Sequence, residues 1–191
     1  MTDPTYADPA YFERLYAKDP DPWQFATSEY EREKYAATLD ALPPGRYGRA
    51  FEIGCSIGVL TRQLAASCDT LLAVDIAKIA IEQAEARCDD QPWVQLAVVD
   101  VRREWPEGQF DLMLFSEVLY YLGIDGIHEA ARRTLTSLAP GGAALLVNWH
   151  GVTDGACTGD EAADLFIADV RPRLSPVAQR RAERYRIDVL R

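Results

Sequence analysis

The sequence of 191 residues contains no apolar run close to the roughly eighteen residues that a membrane-spanning helix needs. Its first residues lack a basic segment followed by an apolar stretch, so we expect no secretory signal. The four cysteines lie far apart and form no C-x-x-C pair, a spacing that argues against a zinc site and against a disulfide framework. We therefore expect a soluble protein of the reducing cytoplasm, with no metal and no membrane partner.

Basic residues are also scarce, since 20 lysines and arginines stand against 30 aspartates and glutamates and give a net charge of −10. An acidic surface repels phosphates, which disfavours a nucleic-acid partner. Residues 171–191 reverse the balance with seven arginines against two acidic residues. These arginines either lie on a terminal strand pair that faces the acidic remainder, or form a phosphate-binding patch.

A strand, a tight turn and a helix are predicted around residues 49–64. Arg49 to Gly58 reads RAFEIGCSIG, and apolar residues recur at helical spacing after it. Glycine at positions 54 and 58 allows a sharp bend and lets a ligand approach the backbone amides, because no Cβ is in the way. The next predicted strand ends on Asp75, where a Rossmann-like crevice presents a carboxylate to the hydroxyls of a ribose. Together the two segments predict a nucleoside-binding crevice.

The glycine pattern disfavours a dinucleotide. The dinucleotide fingerprint needs three glycines, and its positions hold Gly54, Ser56 and Val59 here. Glu52-x-Gly54 with Gly58 instead resembles the first motif of class I S-adenosylmethionine-dependent methyltransferases. The resemblance implies S-adenosyl-L-methionine as the cofactor. The alternative is a generic βαβ turn whose glycines only pack a helix.

The predicted elements divide the chain into a helical N-terminal extension, residues 1–45, and a core, residues 46–191, within one domain. The extension contains a helix over 8–18 and a second helix that opens on a capping box at Ser28-Glu-Tyr-Glu31. Five strands alternate with helices in the core, with Asp125 as the cap of one helix and a turn at 138–142 before the fifth strand. A terminal antiparallel pair follows. The fold class is therefore α/β, a Rossmann-like doubly wound sheet, mostly parallel with a C-terminal antiparallel strand.

Motifs in the N-terminal extension resemble those of one particular methyltransferase family. YFERLY at 11–16, DPDPW at 19–23 and SEYEREKY at 28–35 resemble the nodulation protein S-like methyltransferases, so that the likeness spans essentially the whole chain. Members of that family methylate the amino group of a deacetylated glucosamine at the end of a chitin-type oligosaccharide. The resemblance implies a small-molecule or oligosaccharide acceptor, while the oligomeric state stays open.

Acidic residues that follow successive strands, together with aromatic residues of the extension, form the expected cofactor site. In the resembling family the position of Asp100 contacts the adenine; its alternative role is a turn-forming aspartate. Aromatic residues of the extension either close the edge of the sheet or form a lid, where rings could pack beside a sulfonium. The expected cofactor-binding residues are Trp23, Tyr30, Glu52, Gly54, Cys55, Gly58, Asp75, Ile76, Asp100, Val101 and Ser116.

Glu117, Tyr120 and His150 are the candidate catalytic residues, because they follow the fourth and fifth strands. If the acceptor is an amine it must lose a proton, and a carboxylate, phenol or imidazole near the sulfonium could assist. Tyr120 could instead belong to the core, and His150 could be an ordinary loop residue. The main hypothesis is an N-methyltransferase. An O-methyltransferase of a small metabolite and a non-catalytic S-adenosylmethionine-binding protein are the alternatives.

Overall fold

The computed structural model describes residues 8–191, so the first seven residues of the predicted extension lie outside the described part. Helices and strands alternate along the chain after two N-terminal helices. Two short 3-10 turns, Ala65–Ser67 and Leu119–Tyr121, complete the regular structure. The elements are α1 Pro9–Lys18, α2 Glu29–Ala41, β1 Tyr47–Ile53, α3 Val59–Leu64, β2 Cys68–Asp75, α4 Lys78–Arg87, β3 Val94–Val98, β4 Phe110–Ser116, α5 Ile124–Ser137, β5 Leu138–Trp149, α6 Gly159–Val170, β6 Pro176–Arg181 and β7 Tyr185–Leu190.

The seven strands form one sheet in the order β3-β2-β1-β4-β5-β7-β6. The first five strands of that order are parallel, whereas β7 runs antiparallel to both β5 and β6. This arrangement confirms the predicted fold class. The strand order reverses between β1 and β4, and ligands of open α/β sheets bind beyond the carboxyl ends of the strands at such a switch point.

The central strands are apolar on both faces because helices cover both sides of the sheet. Phe51, Met113 and Phe115 pack in the layer that contains α5 and α6, and all three are fully buried. Their neighbours Ala50 and Leu112 belong to the opposite layer. The alternation of side chains along a strand therefore supplies two cores, which hold the strand ends in fixed positions.

The N-terminal helices begin largely as predicted. The carboxylate of Asp8 caps α1 by accepting a hydrogen bond from the Tyr11 amide at 2.8 Å. Ser28 caps α2 by accepting from the Glu31 amide at 3.4 Å. The second half of the predicted capping box is wrong, because the Glu31 side chain binds the ammonium of Lys34 instead. The Glu31 carboxylate therefore pairs with the buried Lys34 of the same helix and does not cap the helix terminus.

Two predicted boundaries near α5 are also wrong. The helix is preceded by Gly123 and starts at Ile124, so Asp125 lies in its first turn and is not its cap. The predicted turn at 138–142 is already part of β5, which pairs Leu138 with Phe110. The strand pairing shifts register there, and Gly141 has a φ of +78°, so an irregular strand start replaces the turn.

Three of the seven arginines in residues 171–191 lie on the terminal strand pair, and these three, Arg180, Arg181 and Arg186, face acidic partners. Arg180 donates to Asp40 of α2 at 2.7 Å, and Arg186 donates to Asp188 and to Asp164 at 2.7 Å. These contacts favour the structural reading of the basic segment over the phosphate patch. Pro176 begins β6 at the edge of the sheet, where its missing N–H removes no ladder hydrogen bond. None of the helices within residues 8–191 is long and apolar enough to cross a bilayer.

Candidate active site

A cavity of about 410 Å³ opens at the carboxyl ends of the central strands, where the strand order reverses. Its size falls in the range of pockets that hold small molecules and cofactors. Of the predicted cofactor residues, the cavity is lined by Trp23, Tyr30, Glu52, Gly54, Cys55, Asp75, Ile76, Asp100, Val101 and Ser116, and of the predicted catalytic residues by Glu117 and Tyr120. Gly58 and His150 are not among its lining residues.

The glycine turn after β1 lines the cavity and packs closely against Val118. Gly54 has a φ of +78°, and a Cβ on it would lie 2.9 Å from the Cβ of Val118. Its amide donates to the carbonyl of Val74 at 2.9 Å, which fixes the turn against β2. Cys55 is buried in this turn, and burial raises the pKa of its thiol well above the ordinary value. The thiol is therefore neutral and fills space.

Gly58 packs against a helix and does not line the cavity. It precedes α3 with a φ of +77°, and a Cβ there would lie 2.8 Å from the Cβ of Ala84 in α4. The missing side chain thus allows two helices to approach each other, away from the cavity. Its predicted contact with the cofactor is not supported by this position.

Asp75 ends β2 and is held by two backbone amides. Its oxygens accept from Ser56 and from Ala77, each at 2.9 Å. Burial raises the pKa of Asp75, and the hydrogen bonds from Ala77 and Ser56 oppose this shift. Since a carboxylate offers about four lone-pair sites, about two remain for a ligand. The carboxylate is thus fixed in orientation and still able to accept from ribose hydroxyls.

Asp100 and Val101 follow β3 and line the next part of the wall. Asp100 accepts from the amide of Arg102 at 3.1 Å and forms an ion pair with Arg103 at 3.4 Å. The turn-forming role considered for Asp100 is therefore real, and the residue also borders the cavity. Ser116 ends β4 directly beside this wall.

Glu52 is buried beneath the glycine turn, with 1% of its surface exposed. Burial raises the pKa of Glu52 to about 7, the Thr61 hydroxyl opposes the shift, and the charge of Asp75 adds to it. Its Oε2 atom has no hydrogen-bond partner among the described residues. An acidic group of this kind can accept a hydrogen bond from a cationic group of a ligand.

Aromatic residues of the N-terminal helices form the outer wall. Trp23 stacks on Phe25 with ring centroids 5.5 Å apart, and Tyr16 packs edge-on against Trp23 at 5.7 Å. The Tyr16 and Ser56 hydroxyls lie 2.5 Å apart, which connects α1 to the glycine turn. Tyr11 is not among the lining residues, but its hydroxyl donates to Asp154 of the cavity wall at 3.1 Å. The aromatic residues thus cover the crevice as well as the sheet edge.

An ion cluster that the sequence analysis missed lies in the same wall. Lys34 of α2 has 1% of its side chain exposed and contacts Glu31 at 2.8 Å and Glu117 at 2.8 Å. Both glutamates line the cavity. Burial raises the pKa of Glu31, and the Lys34 charge opposes that shift. The signal in the sequence was a lysine on the otherwise buried face of α2, at a helical spacing from Tyr30 and Thr38.

The other two catalytic candidates, Tyr120 and His150, lie in different surroundings. Tyr120 lines the cavity and is buried, and burial raises the pKa of its hydroxyl well above the ordinary value, with Glu117 adding to the shift. The His150 side chain lies outside the cavity wall, with Nδ1 3.2 Å from Oδ2 of Asp160. A catalytic role for His150 remains a prediction that this position does not support. Trp149, Arg184 and Asp154 also line the cavity, and their pattern in the sequence gave no indication of it.

Among the described residues, no three histidine, cysteine, aspartate or glutamate side chains are grouped so that they could hold a metal ion. The cavity is lined by a glycine turn, two carboxylates at strand ends, aromatic rings and a charged wall. Such a combination can hold a nucleoside and a cationic group, and can orient a second reactant beside them.

Comparisons with known proteins agree with this geometry. A family model described as Nodulation protein S (NodS) matches residues 11–182. Nodulation protein S of Bradyrhizobium diazoefficiens is 37% identical over 130 residues, which cover 67% of this chain and 62% of that protein. Nodulation protein S of Rhizobium tropici is 36% identical over 124 residues, which cover 64% of this chain and 52% of that protein. The matched segments thus span between half and two thirds of these relatives.

A solved structure covers almost the whole chain. The crystal structure of the N-methyltransferase NodS from Bradyrhizobium japonicum, in complex with S-adenosyl-L-homocysteine, superimposes with a TM-score of 0.83 at 26% identity. The match covers 99% of this chain and 98% of that one. The N-terminal helices, the sheet and the terminal strand pair therefore have counterparts in a protein that binds a demethylated cofactor.

Proposed function

Since the chain belongs to the nodulation protein S family, we propose that it is an S-adenosyl-L-methionine-dependent N-methyltransferase that acts on an amine-bearing small molecule or amino sugar. The observation that carries the proposal is the convergence of the Gly54 turn, the Asp75 carboxylate and the Lys34 ion cluster on one cavity. Bound S-adenosyl-L-methionine would supply an electrophilic methyl group on a sulfonium. The residues of the cavity fit such a molecule part by part.

We assign the ribose to Asp75, because its carboxylate is fixed by two amides and keeps free lone pairs. We assign the adenine to the wall at Asp100 and Val101, which follows the next strand of the sheet. The amino-acid tail would lie along the Gly54 turn, with the unpaired oxygen of Glu52 available to an ammonium group. The aromatic residues Trp23 and Tyr30 would exclude water from the sulfonium and pack beside its charge.

Methyl transfer is an in-line displacement that depends chiefly on alignment. The lone pair of the acceptor nitrogen forms the new carbon–nitrogen bond while the carbon–sulfur bond breaks, and that electron pair stays on sulfur. The nitrogen then carries the positive charge until a proton leaves it. The Glu31–Lys34–Glu117 cluster has two carboxylates for one ammonium, and this excess of negative charge favours an amine over an anionic acceptor.

The state of the cysteines bears on the cellular compartment of the protein. All four cysteines carry free thiols, three of them buried. Free thiols persist in a reducing compartment. We therefore keep the cytoplasm as the proposed location.

Two experiments test the proposal. Isothermal titration calorimetry with S-adenosyl-L-methionine and S-adenosyl-L-homocysteine should show binding of both, and failure to bind either would refute the cofactor. A transfer assay with an isotope-labelled methyl donor should then compare deacetylated chitooligosaccharides and glucosamine with their N-acetylated forms. Methylation of only the free amines is the expected result. Methylation of hydroxyls in both sets would indicate an O-methyltransferase, and binding without transfer a regulatory protein.

A further inference from the structure

Lys34 is a fully buried ammonium that lies behind the cavity wall. Its Nζ atom donates to Oε1 of Glu31 at 2.9 Å and lies 2.8 Å from Oε2 of Glu117. The same atom lies 5.3 Å from the ring centre of Tyr30 and 5.9 Å from that of Tyr35. Lys34 is not among the residues that line the cavity, whereas all four of these neighbours are. It can therefore act on a ligand only through them.

Glu117 adopts a backbone conformation that directs it toward this lysine. Its φ is +55°, in the left-handed region that a residue with a long side chain rarely adopts. Its amide donates to the carbonyl of Val147 at 2.8 Å, which anchors the turn to β5. The strained turn and the ion pair together fix one carboxylate oxygen, Oε2, on Lys34. Strain of this kind is retained where the surrounding contacts determine it, often at functional sites.

The second oxygen of Glu117 is left for a ligand. Oε1 is buried and has no hydrogen-bond partner among residues 8–191, and the same holds for the hydroxyl of Tyr30 on the same wall. Buried polar atoms are otherwise nearly always paired, so an unpaired carboxylate oxygen that borders a cavity beside an unpaired phenol indicates a missing donor. A purely structural ion pair between α2 and the turn after β4 would leave no reason for this. An N–H of an amine is a donor of the required kind.

We propose that Lys34 is a positioning residue, which holds Oε2 of Glu117 so that Oε1 accepts an N–H of the acceptor amine and orients the nitrogen lone pair toward the methyl group. This proposal rests on the proposed function and adds to it the residue that aligns the acceptor. Methyl transfer occurs by the same in-line displacement at the methyl carbon. The proton that later leaves nitrogen passes to solvent or to Glu117. Lys34 touches neither reactant.

The test uses two variants that separate charge from positioning. Lys34→Met alone would leave two buried carboxylates without a cationic partner. The first variant therefore combines Lys34→Met with Glu31→Gln, which keeps the net charge of the cluster at its native value. In this double variant, Glu117 is no longer held by Lys34. Glu117→Gln keeps the shape of the side chain and removes its charge. Lys78→Met is the matched control, since Lys78 is largely exposed and pairs with Glu82 at 3.1 Å. Steady-state kinetics with glucosamine or a deacetylated chitooligosaccharide, and calorimetry with S-adenosyl-L-homocysteine, are the readouts.

The Lys34/Glu31 double variant should lower kcat/KM for the amine by about 10- to 100-fold, the range of a charge-assisted hydrogen bond, with the affinity for S-adenosyl-L-homocysteine changed by less than about threefold. Glu117→Gln should give a loss of similar size. Adding Glu117→Gln to the double variant should cost little more, because both changes remove the same interaction. The Lys78 control should behave as the native protein.

Three results would overturn the proposal: native acceptor kinetics in the double variant, native kinetics in Glu117→Gln, or losses that multiply when the changes are combined. Glu117→Gln is close to isosteric and keeps the test decisive should the double variant fail to fold. Failure of the proposed function is a separate outcome, because the native protein would then methylate no amine in the first place.

Discussion

Replacing Asp75 with alanine should weaken the binding of S-adenosyl-L-homocysteine. The native carboxylate is fixed by the amides of Ser56 and Ala77 at 2.9 Å and retains lone pairs that face the cavity. Two hydroxyl contacts of a ribose would be lost, at a cost of about 1–3 kcal/mol in binding free energy. This corresponds to an affinity that is lower by about 5- to 150-fold.

The same substitution should also lower the free energy of unfolding. The amides of Ser56 and Ala77 would lose their charged acceptor, while the cost of burying the carboxylate, which raises the pKa of Asp75, would disappear. These terms oppose each other, so we expect a net loss of about 1–3 kcal/mol. Calorimetry must therefore be carried out well below the unfolding midpoint of the variant, which a thermal melt establishes.

Asp69→Ala is the matched control for this experiment. Asp69 lies near the other end of β2, where its exposed carboxylate forms an ion pair with Arg46. Exposed pairs contribute at most about 1 kcal/mol, so this variant should lose little stability and should bind the ligand as the native protein does. Equal affinities for the Asp75 and Asp69 variants would show that the ribose does not lie on Asp75.

Three further predictions concern the turn after β1 and its surroundings. Gly54→Ala should lose more stability and ligand affinity than Gly141→Ala, because both glycines have a φ of +78° but only the first would clash, with Val118 at 2.9 Å; equal melting points and affinities would contradict this. Because the pKa of Glu52 is raised to about 7 from 4.5, the folded protein retains a proton between these pH values that the unfolded chain releases. Stability should therefore fall as pH rises through that window, by on the order of 3 kcal/mol, and level off above it. A pH series of urea unfolding should show a flatter slope for Glu52→Gln, and an unchanged slope would refute the assignment. Tyr16→Phe should weaken cofactor binding by about 1 kcal/mol through the lost hydrogen bond to the turn, as measured by calorimetry, and unaltered binding would exclude that link.

The mostly parallel sheet and the crevice were predictable because they depend on local patterns. Apolar runs between helices give parallel strands, and the carboxyl ends of such strands meet at one edge of the sheet. Asp75 and Asp100 therefore had to lie near each other, although they are 25 positions apart in the sequence. Their contacts with a cofactor remain predictions.

Other features depend on contacts that no local pattern contains. Gly54 and Gly58 have nearly the same φ, and a Cβ on either would meet a side chain of another segment, Val118 or Ala84, yet only Gly54 lines the cavity. Lys34 resembles an ordinary lysine of an exposed helix until Glu117, 83 positions later, is brought beside it by the sheet. His150 follows a strand just as Glu117 does, but it lies outside the cavity wall. Position after a strand predicts proximity to the crevice and not the direction of the side chain.

The cavity wall includes Phe12 near one end of the chain and Arg184 near the other. The residues of the nucleoside crevice between β1 and β4 therefore precede the last residues of the cavity wall in the chain. The outer wall forms only after β7 has emerged from the ribosome and paired with β5, which carries Trp149. Ligand affinity is thus a measure of whole-chain folding, and a chain shortened before Arg184 would keep the glycine turn but lose the enclosed binding site.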